Sequence, residues 1–75
     1  MHGTMNTLDR SGHTSISWDA DNPDEVRTAR AVFDEMREKG YRAFTVGRRG
    51  ERGSRLDSFD PRAEEIMLVP QLQGG

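Results

Sequence analysis

Apolar residues recur along this chain with two periods, and the change from one to the other divides it into elements. Thr14, Ile16 and Trp18 alternate with Ser15 and Ser17. That period of two, carried by β-branched and aromatic residues, predicts a half-buried strand over 14–18. A weaker strand precedes it over 4–9, where Met5 and Leu8 are the apolar members. Arg10-Ser11-Gly12-His13 between them is a turn signal, with Gly12 free to take positive φ. The two segments form a hairpin.

The period then becomes helical. Asn22 is a good N-cap, Pro23 suits the first helical position, and Glu25 stands where a capping box wants it. Val26, Ala29, Phe33 and Met36 follow at spacings of three, four and three, making one narrow apolar stripe flanked by Val32. Gly40 is the natural stop. A helix over about 23–39 follows.

Beyond it, Tyr41–Val46 reads as a strand with Phe44 and Val46 on one face and Tyr41 and Ala43 on the other. Residues 47–55 hold three Gly, four Arg and one Glu, which reads as a flexible basic loop. Leu56–Ser58 reads as a very short strand. Asp60-Pro61 opens one helical or 3₁₀ turn. Ile66–Val69 is apolar throughout, as a central strand would be, and Pro70 ends pairing because it has no N–H to donate. The fold expected is α+β: a mixed four- to five-stranded sheet with one helix on one face. Residues 1–3 are expected to be disordered, 4–70 to form the domain, and 71–75 to be a flexible tail.

Composition narrows the function. The chain has 75 residues, 32% of them hydrophobic and 32% charged. A single core of this size rarely supplies more than ~3–5 kcal/mol net. A large catalytic cleft with its own lid is excluded, and no apolar run approaches the roughly 18 residues of a membrane span. With no Cys there is no disulfide, thiolate zinc site or cysteine nucleophile. His2 and His13 lack companion ligands, so no metal is expected. These absences point to the cytoplasm. The net charge of −2 is too acidic for a general nucleic-acid binder. Arg48, Arg49, Arg52 and Arg55 are a candidate docking patch for an acidic partner, but no aromatic residue lies among them to stack a base. Asp57, Asp60, Glu64 and Glu65 read as solvating and capping groups. Trp18 and Phe33 are assigned to the core.

The chain closes on Leu68-Val69-Pro70-Gln71-Leu72-Gln73-Gly74-Gly75. That ending, with the element order before it, resembles the ubiquitin-like β-grasp proteins. It is similar to ubiquitin, closer still to the small subunit of molybdopterin synthase, and shares its Gly-Gly with the thiamine-pathway sulfur carriers. Pro70, Leu72, Gly74 and Gly75 match the tail pattern of proline, any residue, aliphatic, any residue, Gly-Gly. The fold-level likeness covers about 4–70 and the motif 70–75; the helix and the 57–65 segment match none of these families residue by residue.

The resemblance implies a protein modifier or sulfur carrier rather than an enzyme. A partner adenylating enzyme, using ATP and Mg, would activate the Gly75 carboxylate for transfer to a sulfur or amine nucleophile on an acceptor or target protein. The chain itself would bind no cofactor and is expected to be a monomer that engages neither membrane nor nucleic acid. Gly74 would provide clearance in a narrow channel, since it lacks a Cβ. Leu72 would contact the partner's groove, and a six-residue tail reaches ~20 Å at most. With Lys39 as its one lysine, the chain is poorly suited to self-polymerisation. The rival reading is a non-conjugating interaction module, such as a small bacterial or phage adaptor, for which Gly74-Gly75 would be dispensable.

Overall fold

The computed structural model describes residues 1–9, 12–47 and 52–70. They form an α+β fold with elements β1 (His2–Asp9), β2 (Gly12–Asp19), α1 (Pro23–Glu38), β3 (Arg42–Val46), β4 (Arg52–Leu56) and β5 (Glu65–Val69). The strands make one mixed five-stranded sheet in the order β2-β1-β5-β3-β4. β5 is parallel to β1 and antiparallel to β3, so the last strand lies in the centre, as its unbroken apolar run predicts. No helix among the described residues is long and apolar enough to cross a membrane.

The helix begins where its cap chemistry says. The Asn22 side chain accepts hydrogen bonds from the Asp24 and Glu25 N–H groups at 3.0 and 3.3 Å. Pro23 at the first position brings no N–H, and two of the remaining unpaired donors of the first turn are thereby satisfied. The Glu25 carboxylate reaches back to the Asn22 side-chain amide at 2.9 Å and to the Asp19 N–H at 3.0 Å. At the other end the chain leaves through Gly40 at φ +95, a conformation that disfavours any residue with a Cβ.

One face of the sheet packs on α1. Met5, Trp18, Ala29, Phe33, Ala43, Phe59, Ile66 and Leu68 form the buried apolar cluster, with Val26, Val32 and Met36 against it. Burying a side chain such as Phe33 contributes about 1.5–3 kcal/mol. Phe59 stands edge-on to both Trp18 and Phe33, with ring centres 4.9 and 5.8 Å away. The Trp18 indole N–H donates to the Pro61 carbonyl at 2.9 Å. These contacts fasten the β4–β5 connection to the hairpin and the helix.

Four sequence expectations need correction. The strand over 4–9 starts at His2, and Gly3 is buried, so residues 2 and 3 of the expected disordered lead-in over 1–3 are part of the sheet. The reason is steric: a Cβ at Gly3 would run into the Trp18 ring and come within 2.6 Å of the Ala63 carbonyl, so glycine lets Trp18 settle onto the strand. Thr7 faces the core and Leu8 is exposed, because Met5 and Thr7 share the helix face by alternation. Residues 52–55 are strand, not loop, and the short strand expected over 56–58 ends at Leu56. The single turn expected from Asp60-Pro61 is present and is of the i→i+3 kind, with no helix beyond it. The Asp60 carboxylate accepts the Arg62 N–H at 2.9 Å and its carbonyl accepts the Ala63 N–H at 3.1 Å.

Candidate functional site

The proposed tail leaves from the most firmly held strand. β5 is bonded on both sides, and its Ile66 and Leu68 are fully buried under α1. Val69 still pairs with Arg42; Pro70 follows, exposed and outside the strand. Leu72, Gly74 and Gly75 lie outside the described residues, as do Arg48 and Arg49. Arg52 contributes its backbone to β4, opposite Val46.

Around that exit, the sheet face turned away from α1 is divided in two. Alternation puts Met67 and Val69 of β5 on it, since Ile66 and Leu68 point to the helix. Pairing places Phe44 opposite Met67, and Arg55 opposite Phe44. Phe44, Val46, Met67 and Val69 are all half-buried, with Arg42 and Arg55 exposed beside them. This half is apolar with a basic margin.

The half on β1 and β2 is polar. The Ser15 hydroxyl donates to Asn6 Oδ1 at 2.6 Å, and Asn6 Nδ2 donates to Glu65 Oε2 at 2.8 Å. The Thr4 and Ser17 hydroxyls are 3.5 Å apart. His13 Nε2 lies 3.4 Å from the Ser15 hydroxyl, but the Ser15 proton is committed to Asn6. The row is a cross-strand polar ladder on an open surface, with no cleft in which a nucleophile and base would be sheltered.

The acidic residues of 57–65 disperse to separate tasks. Asp57 Oδ1 lies 3.7 Å from Arg55 Nε and 3.9 Å from Arg37, Asp60 closes its turn, and Glu65 holds Asn6. Arg55 is thus engaged by Asp57 at an exposed site, where such a pair contributes about 0–1 kcal/mol. Among the described residues, no three potential ligands come together to hold a metal. At the start of the helix approach, the Asp19 carboxylate is displaced from its ordinary pKa. The Asp21 N–H donating to it at 2.9 Å is the main cause that lowers its pKa; desolvation opposes this, and the nearby Met1 ammonium and His2 lower it further.

The sequence motifs name the tail and the arginines as candidates, and they do not show the split face. The signal was present: Arg42, Phe44 and Val46, and Glu65, Met67 and Val69, each occur at intervals of two. What the sequence does not state is that β3 and β5 are neighbours, which joins the two sets into one surface. No family model matches this sequence, and no match emerges from comparison with curated proteins or with solved structures.

Proposed function

We propose that the chain is a ubiquitin-like β-grasp protein, a modifier or sulfur carrier whose reactive group is the Gly75 carboxylate. The observation that carries this reading is the juxtaposition of a central β5, parallel to β1, with a Pro70–Gly75 sequence that fits the carrier tail pattern. A central strand bonded on both sides is a rigid root. Pro70, exposed after it, cannot continue the ladder because it has no N–H to donate.

The reading requires Gly75 to carry a free carboxylate. In the first step a carboxylate oxygen attacks the α-phosphorus of ATP, the bond to the leaving phosphate breaks, and pyrophosphate departs with the magnesium. The product is an acyl-adenylate. In the second, a sulfur or amine nucleophile attacks the Gly75 carbonyl carbon and AMP leaves. ATP and magnesium belong to the partner adenylating enzyme; this chain is its substrate. The apolar half of the open face, with Arg42 and Arg55 at its margin, lies beside the tail root and offers that enzyme a docking surface with a preference for acidic groups.

The test is intact mass after incubation with ATP, magnesium and an adenylating enzyme encoded in the same genome. Wild type is expected to gain AMP, to exchange one oxygen for sulfur when a sulfur donor is supplied, or to appear as a conjugate through Gly75. A chain lacking Gly74 and Gly75 is expected to do none of these. Equal behaviour of the two chains would contradict the proposal and favour the non-conjugating module.

A further inference from the structure

Sulfur oxidation in this chain is confined to methionine, since it has four Met and no Cys. The four are placed unequally. Met5 is fully buried among the core residues, and Met36 packs against them from α1. Met1 is 48% exposed, but β1 and β5 run parallel, so it lies at the opposite end of the sheet from Pro70. Met67 is half-buried on the open face, three residues before Pro70. Exposure governs how readily a thioether is oxidised. Position governs what the oxidation does.

Met67 stands at the seam between the two halves of the open face. On one side its strand partner is Asn6, the residue that links Ser15 to Glu65; on the other it is Phe44. Val69 follows two residues on, opposite the exposed Arg42. Arg42 is therefore diagonal to Met67, a separation that long side chains span. As a thioether, Met67 is apolar and continues the apolar half onto the central strand. As a sulfoxide it is polar and carries an oxygen that accepts hydrogen bonds, with the Arg42 guanidinium within reach to donate. One added oxygen thus moves the polar boundary across β5 and interrupts the apolar half between Phe44 and Val69.

We infer that Met67 is a reversible oxidation site, and that its sulfoxide weakens docking of the adenylating partner. The oxidant is a peroxide. The sulfur lone pair attacks one oxygen of hydrogen peroxide and the O–O bond breaks. The proton on the transferred oxygen passes to the departing hydroxide, giving sulfoxide and water. Sulfur loses two electrons and the peroxide gains them. A thiol-dependent sulfoxide reductase reverses the step: the oxygen leaves as water and two thiols become a disulfide. Met1 oxidises as well, but it lies outside the docking half, so its sulfoxide is silent. The inference rests on the carrier reading, which supplies the partner whose docking is regulated.

The test treats the full chain with hydrogen peroxide, destroys the excess with catalase and maps the oxidised positions by peptide mass. Met1 and Met67 should each gain one oxygen before Met36 and Met5. In the ¹⁵N-labelled chain, the shifts from Met67 oxidation should fall on Asn6, Arg42, Phe44 and Val69 and leave Trp18 and Phe33 in place. Exchange of labelled pyrophosphate into ATP by the adenylating enzyme should then need at least about fivefold more oxidised than reduced chain for half-saturation. A sulfoxide reductase with dithiothreitol should restore the original value. Met67→Gln should raise half-saturation without peroxide. Met67→Leu, whatever its own value, should not change on treatment although Met1 oxidises in it. Equal half-saturation before and after oxidation, a loss that persists in Met67→Leu, or Met67 oxidising no faster than Met5 would each overturn the inference. Absence of exchange with the reduced chain would instead overturn the carrier reading, and this inference with it.

Discussion

The β1–β2 and β3–β4 hairpins stand at opposite ends of one sheet, and they are built by different rules. β1–β2 has eight residues a side in unbroken register, and its core face is dominated by Trp18 and Met5. β3–β4 has five a side, a register shift, and a glycine against Thr45. The first is secured by side-chain burial. The second is secured largely by backbone adjustment: the Thr45 hydroxyl accepts the Ser54 N–H at 2.8 Å next to the irregularity. The difference teaches where a small core is spent. Apolar volume is concentrated between the first hairpin, the helix and β5, and the far edge is left to charge and glycine.

That contrast breaks first at Trp18. Trp18→Ala removes a fully buried ring, its contact with Phe59 and its bond to Pro61, at about 3–5 kcal/mol. Such a loss matches the whole net stability of a domain this size, so chemical denaturation is expected to show no cooperative transition at 25 °C. Gly3→Ala is next. The added methyl has the Trp18 ring and the Ala63 carbonyl to displace, at about 1–3 kcal/mol, and thermal melting should fall accordingly. Gly53→Ala sharpens the comparison. Its methyl meets mainly the Thr45 hydroxyl, which can rotate at the cost of its bond from the Ser54 N–H, about 0.5–1.5 kcal/mol, and of a longer 3.4 Å bond to the Ser54 carbonyl. A Gly53→Ala chain that melts below the Gly3→Ala chain would reverse the account of the two hairpins.

Asn22→Ala, at the junction between first hairpin and helix, removes the acceptor for two N–H groups and should cost about 1 kcal/mol in urea denaturation. The smallest effect concerns acid. Asp19 has a folded pKa below its unfolded one, so its contribution is present above the unfolded value and is lost as pH falls through the folded value. Stability measured from neutral pH downward should therefore decline in acid less steeply in Asp19→Asn than in wild type.

Much of the fold was legible because its signals are local. The Asn22-Pro23-Glu25 cap, the Val26–Met36 stripe, the Gly40 stop and the 14–18 alternation each need only a few neighbours in sequence. The all-apolar Ile66–Val69 run also pointed to a central strand. What was not legible depends on contacts far along the chain. Gly3 is a strand residue because Trp18 lies on it, and Phe59 joins the core because Trp18 and Phe33 converge there. Arg52–Arg55 reads locally as part of a basic, glycine-rich loop; it becomes strand because β3 offers a partner edge and Thr45 accommodates the shift. The candidate tail was legible as a motif, whereas the surface beside it required knowing that β3 and β5 pair.

The carrier proposal is tested most directly by exchange of labelled pyrophosphate into ATP, catalysed by the adenylating enzyme in the presence of this chain. Exchange occurs only if a carboxylate is reversibly adenylated. The account predicts exchange that saturates with wild-type chain and disappears on deletion of Gly74-Gly75, while the deleted chain keeps the wild-type amide spectrum through β5. Exchange that is absent with wild type, or unchanged by the deletion, would contradict it.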